Sequence, residues 1–184
     1  MKKKNVLIIL LVAVAIISII FVRNILTINN QEDSFNQEEA LKSDIENLSK
    51  YKSKYMGDAS NFLNLNNRLA LYDIPKTFQL YPDELMAEIN YEEAASNIDE
   101  GKIKRGLFYN STANFVLIDN LKVLKLNFKE VSYTISREKL EKWYGKELSS
   151  LQDYEQWKKE VADKLSDTEY IDKFIKENVE IKNK

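Results

Sequence analysis

The chain has no cysteine and no histidine, and of its 184 residues only four are glycine, two proline and two tryptophan. Without cysteine there is no disulfide brace and no thioether-linked lipid, so stability must come from an apolar core. The joint lack of cysteine and histidine excludes Ser-His-Asp and Cys-His catalysis, zinc held by nitrogen or sulfur, and haem on histidine. Four glycines leave no phosphate-cradling loop. Excess basic charge is missing too. Beyond Arg23 the chain holds 23 basic and 29 acidic side chains, a net −6. Nucleic acid, which needs a basic footprint, is not an expected partner.

One long apolar run is present, Val6 to Val22, inside an uncharged stretch of 18 residues bracketed by Lys4 and Arg23. As a helix rising about 1.5 Å per residue it reaches roughly 27 Å, close to the ~30 Å hydrocarbon core. Fourteen of its 17 residues are Val, Leu, Ile or Phe, so insertion is favourable by roughly 4–8 kcal/mol. Ala13-Val14-Ala15 matches a signal-cleavage pattern, but apolar residues follow it at once, whereas cleavage sites sit after the apolar region. The expectation is an uncleaved anchor over 5–22, with a cytoplasmic tail over 1–4. Lys2, Lys3 and Lys4 keep the N-terminus cytoplasmic by the positive-inside rule. Residues 23–50 read as a stalk and 51–184 as an extracytoplasmic domain. Abundant Lys, Asn and Ile suit a low-GC bacterial genome.

Within the stalk, Ser34-Phe35-Asn36-Gln37 fits a capping box for a helix over about 35–49, read as a spacer in preference to a dimerising helix. Gly57 suits a conformation closed to other residues, and Asp58 is placed to cap a helix over 59–70. Residues 77–81 read as a short strand. Leu85, Ala87, Ile89 and Tyr91 alternate with Met86, Glu88 and Asn90 as in a half-buried strand. A charged loop follows from Glu92 to Gly106, then a buried helix over 107–119. Leu124, Leu126 and Phe128 pair with Ile135, Tyr133 and Val131 across a two-residue turn at Lys129-Glu130, which puts every apolar side chain on one face. Ser136 caps a helix over 137–144 that Gly145 ends. Helices follow over 151–164 and after a Ser166-x-x-Glu169 capping box. Together these give an α+β domain with a small antiparallel sheet packed against helices, preceded by one transmembrane helix.

Tyr55-Met56-Gly57-Asp58-Ala59-Ser60, Ile89-Asn90-Tyr91, Phe115-Val116-Leu117-Ile118-Asp119-Asn120, and Ser136-Arg137-Glu138 with Trp143-Tyr144-Gly145 occur in that order. Over about 51–150 the chain resembles domain-of-unknown-function family 4825 of Firmicutes, found in anchored proteins outside the membrane. Two positions depart from the family pattern: Lys54 stands where a proline is frequent, and the hairpin turn is short. The resemblance implies location and fold and no activity. Fusion of some relatives to antirepressor-type metallopeptidases hints at sensing. The motif residues it singles out are Tyr55, Gly57, Asp58, Asn120, Arg137 and Trp143, each read as structural in preference to functional.

Other chemistry is thin. Ser136-x-x-Lys139 matches the nucleophile motif of penicillin-recognising enzymes, but Ser49-x-x-Lys52 matches as well and no companion motif follows. Asp83, Glu84, Glu88, Glu92, Glu93, Asp99 and Glu100 crowd one stretch, as glycosidase carboxylates would, and read as solvated surface. Interleaved Tyr and Lys at 50–55 read as packing rather than a grip on polymer or lipid. Trp143 and Trp157 read as core rather than sugar platforms. No catalytic residue, cofactor or metal is expected. The functional expectation is an extracytoplasmic interaction or sensor module with a protein or envelope partner; a carboxylate-dependent envelope hydrolase and a passive structural envelope or spore protein are the alternatives.

Overall fold

Alternating apolar residues make strands when one face is buried, and five such segments build the sheet. The computed structural model describes residues 45–184. The expected tail over 1–4, the anchor over 5–22 and the stalk up to residue 44 lie outside the described residues. The strands are β1 (Lys76–Tyr81), β2 (Met86–Tyr91), β3 (Val123–Asn127), β4 (Val131–Ser136) and β5 (Val179–Asn183), hydrogen-bonded in that order. The helices are α1 (Ile45–Leu48), α2 (Ala59–Asn66), α3 (Glu100–Leu117), α4 (Arg137–Tyr144), α5 (Tyr154–Glu160) and α6 (Thr168–Asn178). Among the described residues no helix is long and apolar enough to cross a membrane.

The hairpin has the register expected of it: Leu124 opposes Ile135 and Leu126 opposes Tyr133. The Phe128 N–H donates to the Val131 carbonyl at 2.8 Å. The sheet, however, is mixed rather than antiparallel, because β2 and β3 run parallel. Parallel neighbours need a long crossover, and α3 supplies it. This helix begins at Glu100, inside what reads as a loop, and ends at Leu117 rather than 119. Asp99 caps it, accepting from the Lys102 N–H at 2.7 Å. Its first turns are charged and half-buried, which hides the helical period; from Gly106 onward every residue is buried.

Three further boundaries differ for physical reasons. α2 stops at Asn66, whose side chain turns inward to the Phe62 carbonyl, and the chain then bends to Leu71 with a φ of 62°. The expected 151–164 helix is broken, since Asp153 starts α5 by accepting from the Gln156 N–H at 3.0 Å, and Val161 bends out of it. α6 is capped by Asp167 rather than Ser166, and runs straight into β5, a strand the sequence reading lacks.

Register sorts the sheet into two faces. Phe78, Ile89, Leu126, Tyr133 and Ile181 share one, with Ala87, Leu124, Ile135 and Val179 beside them. The helices pack on this face: Phe62 of α2 meets Phe78 edge-on at 5.8 Å. Phe108 of α3 meets Phe174 of α6 at 4.9 Å. Trp157, 2% exposed, packs against Tyr109 at 5.6 Å and belongs to the core as expected. The other face carries Gln79, Glu88, Lys125, Thr134 and Glu180 in one row across all five strands.

Glycine matters where the packing is closest. A Cβ on Gly106 would lie 2.8 Å from Cδ1 of Leu71, whose side chain is buried, while one on Gly57 would meet nothing within 4 Å. Gly57 also does not use the left-handed region, contrary to the sequence expectation; Gly145 does, at 64°, and ends α4. Gly106→Ala is therefore expected to destabilise by about 1–2 kcal/mol, overpacking outweighing the gain in helix propensity. Gly57→Ala should stay within about 0.5 kcal/mol of the parent. Urea unfolding of both variants checks the contrast.

Candidate functional site

A helix leaves its last carbonyls without partners, and in a buried helix each must be satisfied from elsewhere. The C-terminal end of α3 is such a place. The Phe115 carbonyl accepts from Nη2 of Arg137 at 2.6 Å, and the Ile118 carbonyl from the same atom at 2.7 Å. Val116 is served by Nε2 of Gln152 at 2.9 Å. Leu117 accepts from the Ser53 N–H at 2.8 Å, and the Asp119 N–H returns a bond to the Ser53 carbonyl. Nε of Arg137 reaches the Leu121 carbonyl at 2.8 Å, and its guanidinium lies 5.5 Å from the Phe115 ring centre. Burial pulls the guanidinium below its usual pKa, against the opposing pull of the Glu141 and Asp119 carboxylates. A cation here also faces the negative end of the helix dipole.

Four other motif residues lie on the chain segments that meet this end. Asn120 accepts the N–H of buried Met56 on Oδ1 at 2.6 Å, which ties the segment after α3 to the turn before α2. Asp58 accepts the Asn61 N–H at 3.0 Å and caps α2 as expected. Gly57 sits in the connecting turn, and Tyr55, 69% exposed, offers its carbonyl to the Ser53 hydroxyl. Trp143 stands apart: its Nε1 donates to the Tyr170 hydroxyl at 2.9 Å, and its ring packs on Tyr170 and Phe174. Sequence reasoning missed Ser53 and Gln152, whose role rests on position rather than residue type.

The Asp58 cap carries a prediction. Asp58→Ala should cost about 0.5–2 kcal/mol, and Asp58→Asn much less, because an amide oxygen still accepts the N–H. Thermal melts of the two variants read the difference.

The remaining candidates disperse. The Ser136 hydroxyl accepts the Lys139 backbone N–H at 3.4 Å as the cap of α4, and Ser49 bonds the Glu46 carbonyl. Glu93 accepts from the Ala94 N–H and the Asn97 amide, which hold its carboxyl below the usual range. Asp99 caps α3, and Glu100 pairs with Lys104 at 2.7 Å. Among the described residues no three His, Cys, Asp or Glu side chains gather as a metal site.

A second polar set went unread in the sequence. Nζ of Lys76 donates to the Leu71 and Tyr72 carbonyls at 3.1 and 3.0 Å, holding the left-handed turn in place. Burial pulls its ammonium from 10.5 down to about 8, partly offset by Asp73. Between those values the unfolded chain binds the proton and the folded chain does not, so stability rises with pH there. Below about 8 the ammonium is charged in both states and its burial penalty is full. Lys76→Met should remove this rise between about pH 8 and about pH 10.5, as read by urea midpoints relative to the parent.

The polar sheet face is held by side-chain bonds between neighbouring strands. The Asn127 amide donates to Asn90 Oδ1 at 2.8 Å, and Ser132 donates to Asn127. Lys125 pairs with Glu88 at 3.2 Å, and Tyr81 reaches the same carboxylate. Side chains that bond one another across strands are held in place before any partner arrives.

Comparison with curated proteins and with solved structures finds no match. A family model does match, over residues 48–138. That span begins beside the Ser53–Asp58 segment and closes just after Arg137, so it takes in the cap of α3 except for Gln152. On this match the chain belongs to the family described as a domain of unknown function (DUF4825).

Proposed function

We propose that the chain is an extracytoplasmic interaction or sensor module of a bacterial membrane, anchored through residues 5–22 and without chemistry of its own. The N-terminus is cytoplasmic on this reading, and the partner is a protein or an envelope component. The observation that carries it is the division of labour among the polar residues. Arg137, Ser136, Asp58, Asn120 and Asp99 are committed to helix ends and turns, while Glu88, Asn90, Lys125 and Asn127 line an ordered polar sheet face. A surface whose side chains are held beforehand loses less conformational entropy when a partner docks.

Photo-crosslinkers at Gln79 and Thr134 on that face, and at exposed Glu155 on α5 as control, test the reading in native membranes. The expected result is a discrete adduct from the sheet positions and none from Glu155. Equal labelling at all three would refute the sheet face as contact surface. Protease added to intact protoplasts should remove the domain; protection of the full-length chain would sink the topology.

A further inference from the structure

Among the described residues β5 is the outer strand of the sheet, bonded on one side to β4. Its hydrogen-bond phase shows which groups face outward. The Lys184 N–H donates to the Glu130 carbonyl at 2.9 Å, in continuation of the Val131–Asn183 register. In an antiparallel ladder the bonded positions recur every second residue. Glu180 and Lys182 therefore turn their peptide groups toward Thr134 and Ser132 of β4, while Ile181 and Asn183 turn theirs outward. The Val179 N–H is already given to the Ile175 carbonyl, so Val179 offers only its C=O. Ile181 is 54% exposed, and neither a bulge nor a proline interrupts the strand.

We propose that this edge pairs with the β5 edge of a second copy of the chain, antiparallel about a two-fold axis at Ile181. The sequence Val179-Glu180-Ile181-Lys182-Asn183 is charge-complementary to itself in that one register. Ile181 meets Ile181 of the second copy and exchanges two hydrogen bonds with it. Each Asn183 N–H meets the Val179 carbonyl of the other copy, giving two more bonds. The pairing asks nothing of the Val179 N–H that is already spent. Glu180 then stands opposite Lys182 of the second copy, twice, at non-bonded positions where facing side chains lie closest. Moving the axis two residues to Asn183 would set Lys182 against Lys184, a like-charge pair that opposes it. The product is one sheet of two copies, and both free β5 edges disappear into it.

The chain's lack of cysteine makes the test clean. Hydrogen-bonded antiparallel neighbours have Cα atoms about 5.5 Å apart, within the roughly 4.4–6.8 Å a disulfide accepts. Full-length Ile181→Cys chain in native membranes, treated with a mild oxidant, is expected to give a covalent dimer on a non-reducing gel. Adding Glu180→Lys or Lys182→Glu alone should cut the yield several-fold, and combining the two should restore it. Rescue by the combined swap separates lost pairing from misfolding. A monomer under oxidation, a yield indifferent to the single reversals, or equal dimer from Gln79→Cys on the opposite edge strand would each overturn the proposal. So would a covalent adduct to a different protein in place of the second copy.

Discussion

Replacing Arg137 with alanine is expected to lower stability by about 3 kcal/mol, which for a chain of this size is a fall of roughly 6–12 °C in melting temperature. The side chain makes three bonds to carbonyls and lies near the Glu141 carboxylate at 3.7 Å. Charge-assisted bonds of this kind are worth about 1.5–3 kcal/mol each, though removing them together costs less than their sum. Alanine would also leave the Phe115 carbonyl, at the end of a buried helix, without its partner. Lysine keeps the charge but not the planar fork, so Arg137→Lys should recover less than half of the loss. A binding role would behave in the opposite way: both variants would melt like the parent while adducts from the sheet face disappeared. Calorimetry paired with the crosslinking assay reads both quantities on the same variants.

An effect of similar size is expected at the Asn66–Asn114 pair between α2 and α3. Both side chains are buried, and each amide donates to the other's oxygen, at 3.0 and 2.9 Å. The second N–H of each returns to its own helix, at the Phe62 and Asn110 carbonyls. Asn66→Ala or Asn114→Ala would strand the opposite amide in the core and open a small void, costing about 2–4 kcal/mol each. Once one amide is gone, the second has no partner left to lose. The double variant should therefore fall short of additivity by about 1–2 kcal/mol. Urea unfolding of the four chains closes the cycle. Strict additivity would mean that the pair does not act as a unit.

The sequence alone determined what depends on neighbours in the chain. The β3–β4 register followed from alternation, because slipping by one residue would turn every apolar side chain to the wrong face. The caps at Asp58 and Ser136 and the stop at Gly145 were legible, since a cap is a contact made within a few residues. The family was legible from the order of short motifs. Tertiary structure decided what depends on distant residues. The parallel β2–β3 pairing is spanned by α3, which starts at Glu100, and its charged first turns masked the helical period. β5 showed only one alternating segment after a helix, and its place beside β4 was set by pairing across more than 40 residues of chain. Gly57 looked like the special glycine, yet Gly106 carries the constraint, because only the fold brings Leu71 against it. Arg137 could be named from sequence but not given its task. The carbonyls it serves belong to the end of a helix whose burial, and hence whose need of a cap, is created only when the sheet and helices assemble.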